Sequence, residues 1–318
     1  MAARSGTNRV GAGLKSPERR IVGGRIGDPT RETVGQPIPI ILPDPATLFV
    51  RRADRLDSLA ADHPMGDWLR FMAKLARAQH AAVAVLRDAD PIEVIEGQPP
   101  LGVDAHRRDP SWRKGLGVLL RDADDPVLPD QARAVMEVLR TRDVAALETL
   151  ADAYLRADVP KDQAGEAMYV AAALATYFAH RAAALPGAEV HLLPQRGRCP
   201  VCGSAPVAGV ITAAGQAPGV RYLHCGLCAT AWNHVRAMCI TCGGSRSLAL
   251  LEIEGGDGAV QAETCDECHS YAKTLLQAKD MAVDPMADDL ATLGLDMLVG
   301  EAGYQRHAPN PLVIAPDL

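Results

Sequence analysis

The spacing of apolar residues changes twice along the chain. From Asp44 to Leu185 they recur at helical intervals, from Cys199 to Cys268 they sit as β-branched residues among glycines and cysteines, and after Asp284 the helical interval returns. A period near 3.6 marks an amphipathic helix, whereas short apolar runs bounded by glycine mark strands. Asp44-Pro45 supplies an N-cap and a proline at the first helical position, and Phe49, Leu56 and Leu59 then share a face. Pro64 opens a second helix, with Trp68, Met72, Leu75, Gln79, Val83 and Leu86 on one side and Arg70, Lys74 and Arg77 on the other. A loop rich in Pro, Gly and Asp over about 90–110, broken most firmly at Pro99-Pro100, precedes a short helix from Trp112 to Leu120. Pro129-Asp130 begins a run to about Leu155, and Asp162 to Leu185 forms another, with Val170, Leu174, Tyr177 and Phe178 as its stripe. Near the C-terminus Asp284-Pro285 caps a helix with Asp288 and Asp289 in its positive first turn and Met286, Leu290, Leu293 and Met297 along one face.

These patterns predict an α+β protein: an N-terminal all-helical domain, two tandem four-cysteine modules and a C-terminal helix. The expected boundaries are 1–36 for a mobile N-terminal arm without apolar periodicity, 37–190 for the helical domain, 191–238 and 239–280 for the modules, and 281–318 for the last helix and tail. A length of 318 residues suits about two domains. Lys and Arg number 33 against 39 Asp and Glu, and this net charge of −6 argues against a protein whose work is neutralising nucleic-acid phosphates or an anionic membrane surface. The longest uncharged helical stretch, Ala167 to Ala179, is too short to cross a bilayer. Arg19-Arg20 is followed by Ile-Val-Gly-Gly-Arg, with no apolar signal region, so the chain is expected in the cytoplasm, where thiols stay reduced.

All eight cysteines fall in four C-x-x-C pairs: Cys199/Cys202, Cys225/Cys228, Cys239/Cys242 and Cys265/Cys268. Twenty-two residues separate the first pair from the second and twenty-two the third from the fourth, so one unit is repeated at a period of 40. Within each unit two β-rich runs lie between the pairs, Val207 to Ala213 with Val220 to His224, and Leu248 to Glu254 with Ala259 to Thr264. A hairpin there brings both pairs to one ion. Four thiolates close a tetrahedral shell suited to zinc or iron and not to magnesium or calcium. The hairpins favour Cys199, Cys202, Cys225 and Cys228 on one ion and Cys239, Cys242, Cys265 and Cys268 on the other, with a cross-braced grouping as the alternative. Gly203 and Gly243 follow a cysteine where a positive φ turns backbone N–H groups toward sulfur. Asp266 and Glu267, inside the last knuckle, make an iron there harder to reduce, and Arg198, Arg221, Arg236 and Arg246 offset that charge. With four cysteines per ion, His224 and His269 are expected beside the sites and not on the metals. Tyr222, Trp232 and Tyr271 are expected to pack around the hairpins.

Several stretches resemble the formate dehydrogenase accessory protein family, FdhE. They are Cys199-Pro-Val-Cys-Gly-Ser204, Arg221-Tyr-Leu-His-Cys-Gly-Leu-Cys228, Trp232 with Val235-Arg236, Tyr271-x-Lys273 and Ala287-Asp-Asp-Leu-Ala291, and, in the helical half, Arg51-Arg-Ala-Asp-Arg55, Gly66-Asp-Trp-Leu-Arg-Phe71 and Ala78-Gln79. Asn233 stands where that family is expected to carry histidine, with His234 one place later. The resemblance implies rubredoxin-like modules that hold two iron ions (Fe2+/Fe3+), zinc being the alternative occupant. It further implies a cytoplasmic maturation chaperone that binds the catalytic subunit of respiratory formate dehydrogenase. No G-x-S-x-G, phosphate-binding glycine loop or H-E-x-x-H occurs, so no enzymatic activity of its own is expected. Two other classes compete: a zinc-ribbon nucleic-acid-binding protein, and a rubredoxin-like electron-transfer protein. Arg51, Arg52, Arg55, Arg70 and Trp68 are candidates for a partner-facing surface, the alternative being a solvated helix face with Trp68 in the core.

Overall fold

Asp44 starts the helical half by capping it: its carboxylate accepts hydrogen bonds from the Ala46 N–H at 3.1 Å and the Thr47 hydroxyl at 2.9 Å. The computed structural model describes residues 20–25, 36–87, 91–215 and 217–314. Six helices follow the cap: α1 (Pro45–Leu59), α2 (Gly66–Val83), α3 (Ser111–Asp122), α4 (Asp130–Thr141), α5 (Val144–Leu155) and α6 (Ala164–Ala183). The single run expected from Pro129 to Leu155 is two helices, because Arg142 is extended and the Asp143 side chain caps a new start by accepting from the Ala146 N–H at 2.9 Å. α6 is the axle of the bundle. It packs on α1 to α5 and is buried nearly all round, so its expected stripe is only part of what it buries. Alanines at 171, 172, 173, 175 and 179 let the neighbouring helices close on it.

The first cysteine unit contributes β3 (Pro206–Ile211), β4 (Arg221–Cys225) and β5 (Ala231–His234), and the second β6 (Leu248–Ile253), β7 (Val260–Cys265) and β8 (Ser270–Leu276). Each unit is an antiparallel meander whose first two strands match the expected hairpins and whose third strand follows the second knuckle. The two modules share one sheet. β3 runs parallel to β8, from Ala208 opposite Lys273 to Ile211 opposite Leu276, so the duplicated units are laid side by side in the same direction. The nine-stranded order is β1-β6-β7-β8-β3-β4-β5-β2, with β1 (Ile21–Arg25) and β2 (Ile40–Ile41) at the edges and β9 (Gln305–Arg306) continuing along β8.

β1 corrects part of the expected arm. Ile21 to Arg25 pairs along β6, and Gly23 sits so close to the Leu250 carbonyl that a Cβ there would collide with it. The glycine that weakens the strand signal is what permits this approach. The rest of the predicted arm, 1–19 and 26–35, lies outside the described residues.

The C-terminal helix is also corrected. Asp284 caps it as expected, accepting from the Met286 and Ala287 N–H groups at 2.9 and 2.8 Å, but the helix divides at Thr292 into α7 (Ala287–Ala291) and α8 (Leu293–Glu301). Lys273, fully buried on β8, explains the break: its Nζ donates to the Asp289 and Thr292 carbonyls at 2.9 and 3.1 Å. The same ammonium meets the carboxylates of Asp289 at 3.1 Å and Asp296 at 2.6 Å, and Arg306 pairs with both acids. Tyr271 donates to Asp296 at 2.8 Å, and the Asn310 amide donates to Asp289 at 2.8 Å. Two cations and two acids thus neutralise one another where α7 and α8 meet the sheet, which is what a buried charge requires.

Candidate metal centres

Each C-x-x-C pair lies in a tight turn at the end of a strand, and in both units the backbone repeats the same bonds. Gly203 N–H donates to the Cys199 carbonyl and Cys199 N–H to Ser204; Gly243 N–H donates to the Cys239 carbonyl and Cys239 N–H to Gly244, all at 2.8–2.9 Å. The glycines have φ of +77° and +76°, as their spacing predicts, yet their own N–H groups serve these turns. The N–H groups of Cys228, Thr241 and Gly244 each lie 3.4 Å from a cysteine Sγ. The residue after the second cysteine has positive φ in all four knuckles, including non-glycine Ala229 at 57° and His269 at 51°.

The hairpins bring the sulfurs together as two sequential quartets, Cys199, Cys202, Cys225 and Cys228, and Cys239, Cys242, Cys265 and Cys268, with the ligand atoms of each quartet within 4.8 Å of one another. Cross-bracing is therefore not the arrangement. In the first quartet the Cys199–Cys228 and Cys202–Cys225 sulfurs are 3.5 and 3.4 Å apart, and in the second the Cys239–Cys268 and Cys242–Cys265 sulfurs are 3.7 and 3.8 Å apart. A tetrahedron with metal–sulfur bonds of about 2.3 Å has edges of about 3.8 Å, so the donor set and its spacing fit a four-coordinate zinc or iron ion. The first quartet is drawn slightly tighter.

The surroundings differ sharply. The four inner cysteines, those of the first quartet, are at most 2% exposed. The loop between α2 and α3 covers them, Leu101 N–H donating to Val201 O at 2.8 Å and Val103 N–H to Cys202 O at 3.2 Å. Pro311 presses on Gly226 from the other side, leaving no space for a Cβ. Tyr154 of α5 lies near enough that burial, then the sulfurs of Cys225 and Cys202, push its hydroxyl pKa up. Burial likewise pushes the thiols of Cys199 and Cys228 up, so four thiolates there require a cation to offset them. At the outer quartet Cys242 is exposed and Cys268 half-buried. Burial raises the Cys239 thiol, but the N–H groups of Cys242 and Thr241 and the Ser270 hydroxyl outweigh it and bring its pKa down to about 7. Ser270 Oγ lies 3.0 Å from Cys268 Sγ and donates to Thr241 Oγ1 at 2.9 Å, and Thr241 in turn meets His307 Nδ1 at 2.8 Å.

Three sequence models of one family cover the chain in succession: FdhE, N-terminal, over residues 37–194; FdhE, central domain, over 198–236; and FdhE, C-terminal domain, over 237–313. Protein FdhE of Escherichia coli (strain K12) is 37% identical over 299 residues, spanning 91% of this chain and 95% of its own, and the Protein FdhE homolog of Edwardsiella ictaluri (strain 93-146) is 39% identical over 287 residues, spanning 88% and 92%. The chain belongs to the FdhE family. The crystal structure of the FdhE protein from Pseudomonas aeruginosa superposes with a TM-score of 0.79 at 35% identity, covering 88% of this chain and 99% of that one.

The family stretches outside the cysteines acquire structural meaning. In this FdhE chain Arg52 pairs with Asp284 at 3.2 Å, and Arg55 forks onto Asp288 at 2.6 and 2.9 Å and reaches Asp280 at 2.7 Å. These two arginines tie α1 to the C-terminal cap and are not free for a partner. Arg51 is exposed, Arg70 is exposed beside Asp67, and Trp68 is half-buried. Tyr271-x-Lys273 and the two aspartates of Ala287-Asp-Asp-Leu-Ala291 are ends of the buried ion network and of the Arg55 fork. Neither His224 nor His269 joins a quartet: His224 faces the groove under α1, where burial, against Asp284 and alongside Arg52, lowers its pKa to about 4, and the His269 ring packs on Tyr304. Tyr222, Trp232 and Tyr271 are buried with their polar atoms donating to Ile38 O, Arg196 O and Asp296, so they pack. Of the charges expected at the second site, Asp266 accepts from the Tyr304 hydroxyl and the Glu267 carboxylate lies against Gly244 beside Cys242, but Arg198 donates to Gly203 O at the first site and Arg221 is engaged by Glu263.

Proposed function

We propose that this chain is an accessory factor in the maturation of formate dehydrogenase, one that works in the cytoplasm, binds the immature catalytic subunit and carries out no reaction of its own. Membership of the FdhE family carries this reading, and three features support it. The inner quartet lies at the junction of the helical bundle and the sheet, so an ion there fastens the two halves together. The outer quartet opens to solvent at Cys242, where an iron ion can exchange an electron with a partner. No helix among the described residues is long and apolar enough to cross a membrane, which suits a factor acting before its client is exported. We assign iron to both quartets, with zinc as the competing occupant.

Metal analysis with an absorption spectrum of freshly purified protein separates the two ions, because ferric thiolate absorbs visible light and zinc thiolate does not. Affinity capture from cells producing formate dehydrogenase is expected to recover the catalytic subunit with the wild type. Recovery of none by a folded, metal-loaded chain refutes the client assignment. The Cys242→Ser variant is expected to keep client capture and lose activation of the client. Retention of DNA or RNA at low salt would favour the nucleic-acid ribbon instead, against the chain's net charge of −6.

A further inference from the structure

The two faces of the sheet carry different chemistry. Tyr222 and His224 of β4 look into the groove beneath α1, and by strand alternation Arg221 belongs to the opposite face, with its cross-strand neighbours Ile211 and His234. On that face a cavity of about 620 Å³ is lined by Ile211, Val220, Arg221, His234, Arg236 and Lys279, among other residues that include no carboxylate. This size lies within the range of small-molecule sites, roughly 300–1,000 Å³. The chain as a whole is acidic, so a cavity walled, among the described residues, by cations and neutral groups is a local departure from its composition.

Arg221 is 1% exposed and lies flat across β3, where Gly209 leaves room: a Cβ at that position would be 3.0 Å from Arg221 Nε. One nitrogen, Nη1, meets Glu263 of the second unit at 2.8 Å, while Nε and Nη2 are buried and have no protein partner. The Arg221 Nη1 also lies 3.4 Å from the Arg236 backbone carbonyl, and both residues line the cavity. Arg236 Nη1 stands about 4.0 Å from the Cβ position of Gly219 on the cavity wall, and neither the Arg236 nor the Lys279 side chain has a hydrogen bond or ion pair among the described residues. His234 is kept neutral by burial and by Arg221, its pKa lowered to about 4, and adds no charge at neutral pH. Three cations stand against Glu263, which pairs with Arg221, and the Glu252 carboxylate, which shares the Gly258 turn with Lys279, so a net positive charge remains for an anionic ligand. A phosphate monoester brings about −1.5 to −2 near neutral pH, and guanidinium forks match its oxygens.

We propose that this cavity binds the phosphate group of a small phosphate monoester, with Arg221 as buried anchor, Arg236 and Lys279 at the mouth, and Ile211, Val220 and Val235 against the organic part. The site is independent of the metal centres and of the client assignment.

Calorimetric titration and thermal shift on the metal-loaded full chain test it, with inorganic phosphate, ribose 5-phosphate and ribose as probes. Saturable binding of ribose 5-phosphate, weaker binding of phosphate and none of ribose are expected. Arg236→Ala and Lys279→Ala are each expected to weaken the binding about tenfold with unchanged metal content, and Arg51→Ala, on the opposite groove, to leave it unaltered. Absence of binding by the wild type at about 10 mM ribose 5-phosphate overturns the proposal. So does undiminished binding by Arg236→Ala, or an equal loss in Arg51→Ala, which would mark diffuse attraction to surface cations.

Discussion

The two sulfur quartets come from a duplicated unit with equal spacing and equal knuckle hydrogen bonds, yet one is sealed and the other open. The difference arises from their neighbours. The first unit lies between the second unit and the β2 edge, under the Pro99–Val103 loop, Tyr154 and Pro311, whereas the second reaches toward the β1 edge and ends in a knuckle carrying Asp266 and Glu267. Copying a metal-binding hairpin duplicates the coordination chemistry. Where the copy is seated decides whether an ion held there would be sealed in or reachable from solvent.

The sharpest way to break this contrast is to remove one ligand from each quartet. Structural thiolate sites are coupled to folding by about 10–16 kcal/mol, comparable with a whole domain's net stability of about 5–15 kcal/mol. Cys225→Ser is therefore expected to abolish the cooperative thermal transition and the soluble yield. Cys242→Ser should lose one metal equivalent and keep its helical circular dichroism. Equal damage from both would erase the distinction. With the wild type, a chelator is expected to withdraw metal in two phases, the fast one absent from Cys242→Ser, and a single phase would show that both ions are equally reachable.

Acid offers a gentler probe of the cover over the inner site. The half-buried His106 belongs to the covering loop and contacts the Tyr177 hydroxyl at 2.9 Å; burial, then Arg181 and Arg108, lower its pKa from 6.5 to about 4. Because the unfolded loop takes up the proton first, the stabilisation from neutral His106 is present above pH 6.5 and is lost as pH falls toward about 4. The slow chelation phase should quicken across that window. His106→Asn should show a faster slow phase at pH 7 and a shallower dependence, since thiolate protonation remains in both proteins.

The smallest effects are expected at the strained knuckles. A left-handed conformation costs a non-glycine residue about 1–2 kcal/mol, partly offset in the glycine variant by about 0.5–1 kcal/mol of backbone entropy. Ala229→Gly and His269→Gly should each stabilise by up to about 1 kcal/mol, the first raising the global melting temperature and the second slowing chelation of the outer ion alone.

The helices with strong periodicity were legible, and so were both hairpins and the sulfur groupings, because each depends on residues close in sequence or on a repeat. β5 and β8 were not. Ala231–His234 is too short to show a period, and Ser270–Leu276 carries a lysine in a position that reads as exposed. Only Asp289 and Asp296, contributed from α7 and α8, make Lys273 admissible in the interior. The role of Arg221 was equally hidden, since Glu263 lies 42 residues away and the path between them crosses Gly209.

Residue order alone determined the two cysteine groups, the caps at Asp44 and Asp284 and most of the helices, since thiolate spacing and helix signals act over a few residues. Tertiary structure decided which quartet is covered, which arginines are committed, and that the two cysteine units share one sheet. Those outcomes depend on burial, and burial is set by segments distant in the chain that the folded protein brings against each site.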